Sequence, residues 1–153
     1  SMRSKIGLSK EEQNDIHLIS HLLNLMESNK VDFTLCFRYL SKALIGDINS
    51  IKNLFKNDIA FDNWMTLWKE RISEESISDE EIASSMNAVN PIYIPRNHKV
   101  EEALNAAVLD NNMDPFFKLH DLLKSPYIEI KKFHEYEKPA KNSSMKYKTF
   151  CGT

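Results

Sequence analysis

Two histidines four residues apart, His17 and His21 in "HLISH", are the first pair whose spacing could do chemistry. On a helix that spacing sets both imidazoles on one face, as in the H-E-x-x-H zinc motif. Leu18 stands where that motif carries its glutamate, and no third ligand follows at a useful distance, so the pair reads as a polar helix face. Cys36 lies among Phe33, Phe37 and Leu40 at helical spacing and reads as a small core residue. Trp64 and Trp68 read as core in the same way. Asp47, Asp58, Asp62 and Asp110 each sit beside turn signals, as caps or turn formers. The other cysteine, Cys151, is in the closing "YKTFCGT". Lys146 and Lys148 nearby would favour its thiolate, and the terminal carboxylate of Thr153 would oppose it.

The classes these residues exclude are as informative. The three glycines, Gly7, Gly46 and Gly152, are far apart, so no phosphate-cradling loop can be built from them. No Ser-His-Asp set and no motif-placed pair of carboxylates is present. The expectation is therefore no catalytic, cofactor-binding or metal-ligating residue in this chain. A formal net charge of -2, from 20 Lys+Arg against 22 Asp+Glu, gives no electrostatic reason for a nucleic acid or anionic membrane partner. Two cysteines form neither a disulfide framework nor a zinc cage and point to a reducing compartment. No apolar run approaches the roughly 20 residues that span a bilayer. Ser1 ahead of Met2 reads as the scar of tag cleavage.

The elements that position these residues are helical nearly throughout, and 153 residues suffice for one core without staples. Ser9 and Glu12 form a capping box for a first helix with Ile16, Ile19, Leu23 and Met26 inward. Asp32 caps a second, with Phe33, Phe37, Leu40 and Leu44 inward, ended by Gly46. A short helix over 49–56 carries Ile51, Leu54 and Phe55. Phe61, Trp64, Met65, Trp68 and Ile72 make one wide apolar stripe. Ser78 and Glu81 form a second capping box, with Ile82, Met86 and Val89 inward. Val100, Ala103, Leu104, Ala107 and Val108 share a face of the next helix. The last opens at Asp114-Pro115 and buries Phe116, Leu119 and Leu123. The fold class is all-α, a compact bundle of about six to seven helices. It occupies 1–127, with an extended, lysine-rich C-terminal arm at 128–153.

Between two helices lies "NPIYIPRN". Asn90-Pro91 breaks the helix before it, and the second proline keeps the segment extended. One reading is a rigid crossover with Asn97 as the next N-cap. The other makes Asn90, Pro91, Arg96 and Asn97 anchors, with the Arg96 guanidinium pairing with a carboxylate outside this chain.

"NPIYIPRNHKVEEALNAA", "DPFFKLHDLLKSPY" and "TFCGT" together resemble the C-terminal region of the selenoprotein O (YdiU) family. "MRSKIGL" resembles the family's entry into that region. "DFTLCFRYLS" resembles its D-[YF]-T-x-x-F-R-x-L segment, and "WMTLWKERI" its W-x-x-x-[YW]-x-x-R-[LI] helix. The matches keep family order and span almost the whole chain. The resemblance implies a parent with a kinase-like domain that uses ATP and magnesium to transfer AMP to hydroxyl side chains of proteins. The residues for nucleotide and metal lie upstream of this region, so none is carried over. It implies two partners, the parent's own kinase-like domain and its protein substrates, and an intracellular location, cytoplasmic or mitochondrial. Cys151 occupies the place of the family's near-terminal cysteine or selenocysteine. A redox role is thereby implied, with a disulfide to the kinase-like domain as one form of it and an unpaired terminal thiol as the other reading. The alternative for the whole is a non-catalytic helical interaction module of a scaffold or pseudoenzyme.

Overall fold

The computed structural model describes residues 1–141. Those residues form eight α-helices and one 3-10 helix, with no strand among them. The helices are α1 (Met2–Lys5), α2 (Asp15–Asn29), α3 (Phe33–Leu44), α4 (Ile48–Leu54), α5 (Ile59–Ile72), α6 (Asp79–Val89), α7 (Asn97–Leu109) and α8 (Asp114–Lys124). The 3-10 helix is Lys131–Tyr136. All seven helices expected from the sequence form, preceded by the single turn of α1. The arrangement is the expected all-α bundle.

The α5 stripe is the centre of the main core. Phe61, Trp64, Met65, Trp68 and Ile72 are all buried, as their spacing requires. Phe55 and Phe61 stack at 3.8 Å between ring centroids, and Phe61–Trp64 and Trp64–Trp68 extend the column at 5.8 and 5.7 Å. Each indole also satisfies its donor. Trp64 Nε1–H donates to the Leu18 carbonyl at 2.8 Å and Trp68 Nε1–H to that of Ile6 at 2.9 Å. The column therefore fixes α2 and the α1 exit by directed bonds as well as by contact.

Caps follow the sequence at several ends. Asp32 accepts from Leu35 N–H, Asp47 from Ser50 N–H, and Asp58 from Ala60 N–H. Ser78 and Glu81 complete a reciprocal capping box at α6. Gly46, at φ 108, follows the last turn of α3.

The start of α2 departs from expectation. The helix begins at Asp15, and Ser9 does not cap it: its hydroxyl and its N–H both donate to the Glu75 carboxylate. The inward face is Asp15, Leu22, Leu25 and Met26, while Ile16 is 63% exposed and Leu23 is exposed. The reason is a buried charge. Asp15 turns inward to meet two arginines and rotates the helix away from the register that apolar periodicity alone selects. Val89 and Phe116, also expected inside, are exposed, and Leu122 is buried in α8 instead.

A second, smaller cluster joins Ile92, Tyr93, Leu119, Leu122 and Tyr136. Beyond Tyr127 the chain lies on this cluster through the 3-10 helix, burying Tyr136 and Glu137. Tyr93 Oη accepts from the Ile130 N–H at 2.9 Å.

Gly7, at φ 83, shows what the close packing demands. A Cβ there would lie 2.5 Å from Ile82 Cγ2 and 3.0 Å from Met86 Sδ, whereas one at Gly46 meets nothing within 4 Å. Both alanine variants carry left-handed strain, and only Gly7→Ala adds overpacking. In urea unfolding, Gly7→Ala is expected to lose at least about 1 kcal/mol more than Gly46→Ala. Equal losses would contradict this account of the α1–α6 contact.

Candidate functional site

The crossover 90–96 is where distant parts of the chain meet. Pro95 holds the approach extended, and Arg96 takes the N-cap position of α7 at φ -65, ψ 126. Asn97, the expected cap, is the first helical residue and is exposed, and Arg96 makes no side-chain cap bond. The Arg96 side chain crosses instead to Asp32. Its Nη1 donates to Oδ2 at 2.6 Å and its Nη2 to Oδ1 at 2.9 Å, a bidentate fork. Nη2 donates again to the Glu137 carbonyl at 2.8 Å. Asp32 Oδ1 meanwhile caps α3 through Leu35 N–H at 2.9 Å. One carboxylate thus serves the N-terminus of α3 and the entry to α7. Arg96 is bound within the chain.

Asn90 and Pro91 sit at the other end of the crossover. Asn90 is buried, donates through Nδ2 to the Lys5 carbonyl at 2.9 Å, and accepts from Lys5 Nζ at 3.1 Å. Its own carbonyl accepts from Arg38 Nη1 at 3.2 Å. Arg38 is only 3% exposed. The same Nη1 faces the carbonyls of Asn87 at 3.3 Å and Tyr127 at 3.2 Å. Its Nη2 lies 3.7 Å from Glu129, which also pairs with Lys42 at 2.9 Å. Burial pulls the Arg38 guanidinium below its ordinary value, yet arginine remains charged at neutral pH. Its Nε and that of Arg96 find no partner among the described residues.

A second ion cluster ties α1, α2 and α5 together. Asp15 accepts from Arg71 Nε at 2.9 Å, Arg3 Nε at 3.1 Å and Glu12 N–H at 3.0 Å. Arg71 continues to Glu75 at 3.0 Å and to the Lys10 carbonyl at 3.0 Å. Burial alone would raise the carboxyls of Asp15, Asp32 and Glu75. Their arginine partners, the Ser9 hydroxyl at Glu75 and backbone N–H groups outweigh it and hold all three below the usual range. Glu137 is the exception: burial, helped by the Glu129 charge, raises it against the lowering pull of His134 and Lys42.

His17 and His21 are exposed and line a cleft of about 570 Å³ between α2 and α5, with Glu70 and Glu74 opposite. Among the described residues no three His, Cys, Asp or Glu are grouped to hold a metal ion. Cys36 is fully buried, and burial followed by the Asp32 charge pushes its thiol far up, so it is inert. Cys151 lies outside the described residues. Among the described residues the buried charges act by position: they fix helix ends.

A family model described as "Protein adenylyltransferase SelO" matches residues 1–124. The chain belongs to the SelO family. It is 40% identical over 152 residues to a protein nucleotidyltransferase YdiU of Agrobacterium fabrum. It is 41% identical over 155 residues to that of Rhizobium etli and 39% over 152 residues to that of Maridesulfovibrio salexigens. Each alignment covers 99% of this chain but 31% of the relative. Several polar residues of the SelO-like segments carry the contacts described above. Asp32 and Arg38 come from one segment, Arg71 from another, Arg3 and Lys5 from the first, and Asn90 and Arg96 from the crossover. The sequence reading singled out the crossover but missed Arg38, Asp15 and Glu75. The recurrence of arginine inside otherwise apolar stripes was the signal that could have found Arg38 and Arg71.

Arg96→Ala would leave Asp32 unpaired in a half-buried site, and urea unfolding is expected to show a loss of about 3 kcal/mol. A loss below about 0.5 kcal/mol would place Arg96 among ordinary surface residues. Depressed carboxyls stabilise above their unfolded values near pH 4 and lose that contribution as pH falls through their lower folded values. Arg96→Ala should therefore also flatten the acid limb of the stability profile.

Proposed function

We propose that this chain is the helical support of a longer SelO protein that transfers AMP from ATP to hydroxyl side chains of other proteins, and that Cys151 tunes that activity by its redox state. The observation that carries the reading is the match to relatives named protein nucleotidyltransferases, of which this chain spans 31%. ATP and magnesium belong, in this reading, to the remaining part. In support of this, Gly7 is closed in by Ile72, Ile82 and Met86 and Gly46 ends a helix, so neither of these two glycines opens a phosphate cradle. What the chain contributes is rigidity. Its buried arginines bind backbone carbonyls and a capping carboxylate, which holds helix ends at fixed positions against a catalytic partner. The partners are the protein's own kinase-like domain and its protein substrates.

The test is AMP incorporation from labelled ATP with magnesium and a protein substrate. The full-length protein is expected to label the substrate and the 153-residue chain alone is not. Labelling by the chain alone, or none by the full-length protein under both reducing and oxidising conditions, would overturn the reading. Cys151→Ser should remove the response to dithiothreitol and leave labelling itself intact. An unchanged response would take Cys151 out of the mechanism.

A further inference from the structure

Helix α7 is built the wrong way round for a helix facing water, and α8, which buries Leu119 and Leu122, still leaves aromatic side chains outside. In α7 the inward positions are small: Ala103 is buried and Ala106 and Ala107 are half-buried. The large side chains point out. Leu104 is 51% exposed, Val108 79% and Leu109 77%. Across the turn, Met113, Phe116 and Phe117 are exposed as well. Scattered apolar residues on a surface need no explanation, but six within one hairpin mark a face that is covered in use.

The turn between the helices is held rigidly. Asn111 adopts a left-handed φ of 51, Asn112 N–H donates to the Ala106 carbonyl at 2.9 Å, and Asn112 Oδ1 accepts from Asp114 N–H at 3.0 Å. The hairpin base is fixed in turn, because Arg96 clamps the entry to α7 and Pro126, just past α8, accepts from Ile92 and Tyr93 N–H at 2.8 and 3.2 Å. A pre-ordered apolar face loses little conformational entropy on docking.

We infer that this outward face of α7 and α8 is the surface on which the remainder of the full-length protein packs. The inference rests on the reading of the chain as one part of a longer SelO protein. The occupant is argued from length: the chain spans 31% of its relatives, and on that reading the remaining part is covalently joined and meets this face at high effective concentration. The matching surface is apolar opposite these six side chains and polar where the exposed Glu101, Asp110, Asp114 and Lys118 lie beside or between them in the chain.

The test places Val108→Cys and Phe117→Cys, separately, in the full-length protein without nucleotide. Maleimide modification at each position is then followed by peptide mass spectrometry. Both positions are exposed in this chain, so its own fold does not depend on them, and Val108→Cys, which changes volume little, checks that a result at Phe117→Cys is not caused by the lost ring. Modification at least about tenfold slower than in urea-denatured protein, unchanged on about hundredfold dilution, is expected for an internally covered face. Rates within about threefold of the denatured protein would show an open face and overturn the inference. Protection that disappears on dilution would show a second copy as the occupant and overturn it too. Because no nucleotide is present, the outcome is independent of whether the protein transfers AMP.

Discussion

The bundle depends on one buried guanidinium. Arg38 is on α3, inside the protein, and its Nη1 reaches carbonyls of Asn87, Asn90 and Tyr127. Those carbonyls belong to the end of α6, the start of the crossover and the chain just past α8. Each is an acceptor that regular helix bonding leaves free, and a buried acceptor without a donor is costly. An apolar side chain of the same length would bury more easily but would satisfy none of them. The N–H donors, not the volume, are what let three chain breaks converge on one helix.

Arg96 and Arg71 repeat the device with carboxylates. Arg96 uses Asp32, already committed as the cap of α3, so the entry to α7 is keyed to a helix start more than sixty residues earlier. Arg71 uses Asp15, and the pairing rotates α2. Buried ion pairs add little net stability compared with apolar packing, but they penalise alternative registers severely. A slip of α2 or α7 by one position would strand a charge.

Much of this was legible in the sequence. The α5 stripe, the caps at Asp32 and Ser78 and the break at Asn90-Pro91 each rest on local chemistry, and each formed. In α2 and α3 the hidden feature is a buried charge: apolar periodicity takes a polar residue as outward, so it puts Ile16 and Leu23 inside and Asp15 outside. A charge whose partner is more than fifty residues away has no local signature. Arg38 and Arg96 illustrate both sides: the proline-locked setting made Arg96 conspicuous, whereas Arg38 sat unremarked in an apolar run. The outward leucine and valine of α7 misled in the opposite sense. Periodicity placed Leu104 and Val108 inside, and the structure exposes both beside a buried alanine face.

Arg38→Met tests the central role of that guanidinium most directly, because it keeps the length and removes the donors. Urea unfolding combined with amide exchange at Ile92 and Tyr93, whose N–H groups donate to Pro126, reads both stability and the local tie. A loss of about 3 kcal/mol or more, with exchange at those two amides accelerated beyond the global change, is the expected result. A loss under about 1 kcal/mol with unaltered exchange would contradict the claim that Arg38 holds the crossover in place.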